Sequence, residues 1–349
     1  GKVMNTNMYY ATLERLKGKT IILVYSYRGE QERGMKQYDA WKGDVISDWI
    51  TAIEELGCFP LVMDVRTFVF KAMNKSLPHT DFVVNLCNGT ISLSTLGLVP
   101  ATCSFLDIPC IPCDANIALT GENKLYSNLI ATAKGMNLPK QLDISDKTGI
   151  FRPIGFGSSV GVVRSPDKKH IESYKSYVYQ EFINGFDITT PIMYNPLVDD
   201  LEVLPAIVYF PESEDNNWFL GEKEKAQHNG YEKICVNLSD EAKEVYIGMA
   251  KALLINTYCR IDARIKCDSI SELKCKKEKN INHSDLFFLE INPMPTIKKN
   301  INFHTSLEAL SDNYSMKKCM DLYFSCVKHA SLTGFILSNA IIANFKAKH

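Results

Sequence analysis

The sequence predicts a mixed fold, α/β followed by α+β, with a parallel α/β unit first and an antiparallel sheet after it. Three patterns carry this expectation. Apolar runs of strand length alternate with helix-length segments up to about residue 120, the arrangement that joins parallel strands through crossover helices. After residue 150 the apolar runs are separated by turn-forming stretches such as Asn184-Gly185, the encoding of antiparallel pairs. Between the two regions, FRPIGFGSSVGVVRS sets Gly155, Gly157 and Gly161 around two serines, which predicts a hairpin loop whose backbone NH groups can approach an anion.

The elements follow in order. TIILVYSY from Thr20 reads as the first strand, and Trp41 to Leu56 as a helix with Val45, Ile46, Trp49, Ile50 and Ile53 on one face and Gly57 as its stop. Strands are expected at FPLVMDV, DFVVNLC and IPCI, then a helix from Leu119 to Gly135 and a short strand near Gly149 to Arg152. In the second half, VYQEFINGFDITTPIM predicts two runs paired across Asn184-Gly185, and LEVLPAIVYF and KICVNL add strands. A helix is expected from Asp240 to Ile255. CRIDARIKC and LFFLEIN read as strands joined by a charged tip, SISELKCKKEKNINHSD, expected as a solvated hairpin end. From Leu310 onward the tail reads as helical. Its apolar residues Phe335, Ile336, Ile341, Ile342 and Phe345 either pack inside or serve self-association.

Composition narrows the class. The 349 residues are 46% hydrophobic and 23% charged with a net charge of −1, which suits a globular protein and offers no overall attraction to nucleic acid or anionic lipid. No apolar run approaches the roughly 20 residues that span a bilayer. Eleven scattered cysteines, an odd number lying mostly in apolar runs, fit a reduced, cytoplasmic setting. Cys110 and Cys113 have redox or zinc spacing but no second pair to complete a site. YRGEQERG, after the first strand, matches neither a dinucleotide fingerprint nor a phosphate-binding loop.

The chemistry concentrates in two strands. In LEINPMP, Glu290 and Asn292 share a strand face and Pro293 ends the ladder. Two oxygen ligands converging at a strand end suit a magnesium ion shared with phosphates; a turn opened by Asn292 would need the same residues. CRIDARI places Arg260 and Asp262 on one face by the same period, so antiparallel pairing would bring a cation and three oxygen ligands together. For Asp262 alone, a salt bridge to Arg260 or Arg264 is the other reading.

The chain here resembles the D-alanine:D-alanine ligases of the ATP-grasp superfamily. The motifs that carry the resemblance are Asn123-Lys124, GSSVG at 157–161, QEFINGFD at 180–187, RID at 260–262 and EINPMP at 290–295, in the family's order over nearly the whole chain. The resemblance implies an ATP-grasp fold. Its parts would be an N-terminal Rossmann-like domain over 1–122, a central lid over 123–188 and a C-terminal catalytic domain with terminal helices over 189–349. It further implies a ligase in which ATP phosphorylates a carboxylate and an amine displaces the phosphate to form an amide.

By the same resemblance, Asp262, Glu290 and Asn292 would hold magnesium, two ions in all, and Arg260 would stabilise the tetrahedral intermediate. Lys124, Arg152 and Lys225 would contact ATP phosphates, with Lys223 as rival to Lys225. Ser158, Ser159 and Val160 would cover the phosphates. Gln180, Glu181, Phe182 and Ile183 would meet adenine, and Asp187 the ribose. Arg152 and Gln180 stand where the family has Lys and Glu, and a planar fork is not a point charge.

Both substrate segments differ from the family pattern. YRGEQERG offers Glu30 or Glu32 for the first substrate's amino group, and TIKKN offers Lys298 and Lys299 for a carboxylate, or as a solvated loop. The substrates are accordingly expected to be a small-molecule carboxylate and amine other than two D-alanines, with a homodimer as the assembly and no nucleic-acid or membrane partner. A cell-wall D-alanine:D-alanine ligase, a silent nucleotide-binding protein and an ATP-grasp phosphotransferase are the alternatives.

Overall fold

The computed structural model describes residues 3–26, 43–87, 92–155, 159–221, 224–225, 229–275 and 280–347. Four strands, β1 (Thr20–Tyr25), β2 (Phe59–Asp64), β3 (Phe82–Leu86) and β4 (Cys110–Ile111), form a parallel sheet in the order β2-β1-β3-β4. β1 and β3 lie inside it and are buried on both faces, apolar in their centres but for Asn85 of β3, as suits parallel strands covered by helices. Helix Gly43–Glu55 covers one face with Val45, Trp49, Ala52 and Ile53. Gly57, in the left-handed region at φ +77°, stops the chain just beyond that helix where the sequence placed the stop.

A small sheet follows, β5 (Ile150–Pro153), β6 (Val163–Arg164) and β7 (Tyr177–Gln180), antiparallel in the order β6-β5-β7. The large sheet holds β8 (Gly185–Asn195), β9 (Asp200–Val203), β10 (Ala206–Phe210), β11 (Glu232–Val236), β12 (Tyr258–Lys266) and β13 (Leu286–Asn292). Its order is β11-β10-β8-β12-β13, with β9 also on β8, and every pair is antiparallel.

Four local expectations change. Asn184-Gly185 is no hairpin turn: β7 pairs with β5 in the small sheet and β8 enters the large one. A Cβ at Gly185 would fall 1.8 Å from the Ile265 carbonyl oxygen, so this glycine serves a close backbone crossing. The helix expected from Leu119 to Gly135 is two helices, Ala115–Glu122 and Lys124–Ala133, because Asn123 leaves the helical region and caps the second with its side chain. The charged tip contains a short helix, Ile270–Cys275, that buries Ile270 and Leu273. The tail breaks into helices Ser315–Cys326 and Leu332–Ala347.

The last helix is apolar nearly all round, the pattern of a helix inside a core. Phe335, Ile336, Ile341 and Ile342 are fully buried. Phe345 meets Phe82 of β3 edge-on at 5.6 Å between ring centres. Of the two roles open to this face, packing inside is the one it fills.

Candidate active site

Antiparallel pairing of β12 and β13 places Arg260 opposite Asn292 and Asp262 opposite Glu290. On the other side of β12, Asp262 lies opposite Thr189 of β8. Thr189, Asp262 and Glu290 thus form a row across three strands, with Arg260 and Asn292 in the next row. A bulge between Asp262 and Ala263 shifts the register just past the cluster.

Arg260 donates to both Asp262 oxygens, Nε to Oδ1 at 2.9 Å and Nη2 to Oδ2 at 3.0 Å, and the Thr189 hydroxyl also donates to Oδ1. The ion pair and the oxygen cluster are therefore one structure rather than alternatives. Asn292 does open a turn, its Oδ1 accepting from Met294 N at 2.9 Å, and an amide oxygen has a second lone pair to offer.

Cations gather on Glu290. Lys124 is buried at the start of its helix, with Nζ 3.4 Å from Glu290 Oε2. Burial alone would raise the Glu290 carboxyl, but Lys124, Lys225, Arg152 and Arg260 together hold it down to about 2. Arg152, on β5 of the small sheet, reaches across to β13 and donates to the Leu289 carbonyl at 3.2 Å. It also donates to Gln180 Oε1 on neighbouring β7. Its Nε is buried without a hydrogen-bond partner. One guanidinium thus ties the small sheet to the large one.

Beyond Gln180 the chain crosses between sheets. Glu181 accepts from Lys140 N at 3.0 Å, and Ile183 is buried with its carbonyl accepting from Arg264 Nε at 3.1 Å. The Phe182 ring faces two guanidiniums, Arg164 at 4.1 Å and Arg264 at 4.7 Å. Asp187 accepts from Leu220 N at 2.6 Å and lies 3.4 Å from Arg264. Ser159, at φ +58°, donates its hydroxyl to the Leu220 carbonyl at 3.0 Å, and Val160 is buried. The loop after β5 therefore meets the segment between β10 and β11.

Ser158 and Glu30 lie outside the described residues, as do Glu32 and Lys223. Lys298 and Lys299 face helix Gly43–Glu55, at 3.7 Å from Asp44 and 3.8 Å from Asp48. Sequence reasoning passed over Thr189, although it follows Asp187 by the strand period that singled out the other pairs. It named Arg264 only as a partner for Asp262. Arg264 instead donates to three carbonyls, of Ile183, Trp218 and Gly185, and organises the crossing. Its buried position at the end of CRIDAR gave no separate signal.

No family model matches the chain. A D-alanine–D-alanine ligase of Clostridium beijerinckii is 26% identical over 287 residues, 75% of this chain and 85% of that protein. Among solved structures, a D-alanine–D-alanine ligase of Bacillus anthracis complexed with ATP superposes with TM-score 0.62 at 16% identity, covering 94% of this chain and all of the other. D-alanyl-alanine synthetase A of Vibrio cholerae gives 0.63 at 13%, covering 94% and 98%. The VanG D-Ala:D-Ser ligase of Enterococcus faecalis gives 0.60 at 13%, covering 94% and 99%. The fold is the ATP-grasp fold. The chain shares this fold with the D-alanine–D-alanine ligases and is similar in sequence to one of them at 26% identity.

The donor chemistry at the end of β13 fits magnesium. Asp262, Glu290 and Asn292 supply three hard oxygen donors from two facing strands, a set that leaves positions for phosphate and water.

Proposed function

We propose that the protein is an ATP-dependent carboxylate–amine ligase that forms an amide through an acyl phosphate, with substrates other than two D-alanines. The observation that carries this reading is the convergence of Lys124, Arg152, Lys225 and Arg260 on Glu290, beside Asp262 and Asn292. Four cations around a carboxylate cluster make a site for a polyanion bound together with a divalent ion.

In this reading Lys124, Arg152 and Lys225 bind the nucleotide phosphates. Ser159 and Val160 cover them from the small sheet, and Ser158 is assigned the same role by its place in the sequence. Gln180, Glu181, Phe182 and Ile183 line the base, the last two supplying apolar surface, and Asp187 accepts from the ribose. Asp262, Glu290 and Asn292 would hold magnesium, which when bound neutralises charge on the phosphates. A substrate carboxylate oxygen attacks the terminal phosphorus as the bridging oxygen leaves with ADP. The amine nitrogen then adds to the acyl carbon, phosphate departs with the bonding pair, and the nitrogen loses its proton. Arg260 lies at the rim of the cluster, where a fixed donor can meet the oxyanion of that addition. Its grip on Asp262 fixes the guanidinium plane before substrate arrives.

Glu30 and Lys298 or Lys299 remain the candidate substrate contacts, and the departures around them support a non-alanine pair. Among the described residues no helix is long and apolar enough to cross a membrane. A cytoplasmic setting with small-molecule substrates belongs to the proposal. A homodimer is part of the same proposal. The test is phosphate release from ATP and magnesium with amino acids supplied singly and in pairs. The proposal expects release with a defined pair and a product mass equal to the two minus water. D-alanine alone yielding its dipeptide would return the chain to the cell-wall activity.

A further inference from the structure

Past β13 the chain adopts an unusual backbone: Asn300 has φ +68° and Asn302 φ +39°. Non-glycine residues seldom sit in the left-handed region, and asparagine is among the few that tolerate it. Two within three residues need something to hold them, and such strain clusters at ligand clamps.

The grip comes from the two strands at the other end of the large sheet. Tyr209 of β10 donates its hydroxyl to Asn302 Oδ1 at 2.7 Å. Lys233 of β11 donates to the Asn300 carbonyl at 2.5 Å and to Thr305 Oγ1 at 3.1 Å. Tyr209 and Lys233 face each other across the β10–β11 ladder, and Tyr231 meets the Tyr209 ring edge-on at 5.4 Å. On its other side Tyr209 lies opposite Asp187. Burial pushes the Tyr209 hydroxyl up, keeping it a neutral donor, and Arg260 is close enough to pull the other way. The gripped segment leaves the sheet from Asn292, directly opposite Arg260.

We infer that Tyr209 and Lys233 are positioning residues for the amine substrate: they clamp segment 298–305 beside Arg260, and the clamped segment forms one wall of the acceptor site. The inference rests on the ligase reading above. The wall is fixed from three sides, because Lys298 and Lys299 also face Asp44 and Asp48, and buried His304 bonds Thr333, whose hydroxyl donates to Asp48. A wall held this way admits an amine by shape.

Tyr209→Phe removes one oxygen and leaves the ring in place. With the pair of free amino acids that releases phosphate for the wild-type protein, the variant should raise the KM for the amine about tenfold, the scale of one lost positioning hydrogen bond. The KM for ATP and kcat should stay within about twofold. Lys233→Met should act in the same direction and carries the test if the first variant misfolds. Amide exchange across 298–305 should quicken in both. An unchanged amine KM overturns the inference, as does an equal rise in the KM values for amine and ATP together with a lower melting midpoint, which marks a structural role only. If the wild-type protein releases phosphate with no pair, the ligase reading fails and takes the acceptor role with it. Unchanged exchange in the variants would remove the clamp independently.

Discussion

Glu290→Gln keeps the shape of the side chain and removes the charge that four cations surround. A carboxyl held at about 2 instead of its ordinary 4.5 is worth about 3 kcal/mol of folding free energy at neutral pH. The sign follows from the depressed value. The contribution is fully present above the unfolded value near 4.5 and is lost as pH falls through the folded value near 2. Glutamine neither repays the four cations nor titrates. The variant should therefore be less stable than wild type by about 3 kcal/mol at pH 7, and the gap should shrink to about half near pH 3. Urea unfolding at pH 7, 5, 4 and 3, without nucleotide, measures it. A gap independent of pH would refute the electrostatic account, and no gap at all would mean that the cations are relieved by solvent. Phosphate release by the same variant should fall at least about a hundredfold, since a ligand that neutralises developing charge is gone.

Three further outcomes follow from the packing. Arg264→Met leaves the Ile183, Trp218 and Gly185 carbonyls without their donor and should cost about 3 to 5 kcal/mol in denaturant unfolding. Gly185→Ala places a methyl carbon against the Ile265 carbonyl; a loss of at least about 3 kcal/mol is expected, read as a lower unfolding midpoint or loss of folded protein. Glu55 accepts from Ser331 N at 2.7 Å and Tyr323 Oη at 2.6 Å, and burial raises its carboxyl above the ordinary 4.5 despite these bonds. A raised carboxyl stabilises the fold below its unfolded value and loses that contribution as pH rises through the folded one. Glu55→Gln should therefore gain stability relative to wild type between pH 4.5 and 7, as urea unfolding at the two pH values would show.

Much of this was legible because strand periodicity is a local signal. The facing of Arg260 and Asp262 with Asn292 and Glu290 needed only a two-residue period and one antiparallel pairing, and the observed register supplies that pairing. The parallel first sheet was likewise readable from alternating runs and from the Gly57 stop. What the sequence concealed depends on contacts between distant segments. Asn184-Gly185 looks like a hairpin turn, yet the need for glycine there comes from Ile265, 80 positions away. Asn123-Lys124 stood out as a motif, yet periodicity ran one helix through it, and the break comes from the Asn123 backbone leaving the helical region while its side chain caps the next helix. Tyr209, Lys233 and Asn302 belong to three segments with no shared motif, so their joint grip has no trace in the sequence. The apolar tail allowed either burial or association, and only its packing against helix Gly43–Glu55 and β3 decides between them.

Amide formation driven by ATP can be read in a single reaction. Phosphate release and product mass, read in one reaction containing ATP, magnesium and paired amino acids, test it most directly. Phosphate should appear in equal measure with a new amide, dependent on both partners and lost in Glu290→Gln. ATP binding with neither phosphate nor amide formed across the whole panel, or a stable phosphorylated substrate that no amine discharges, would contradict it.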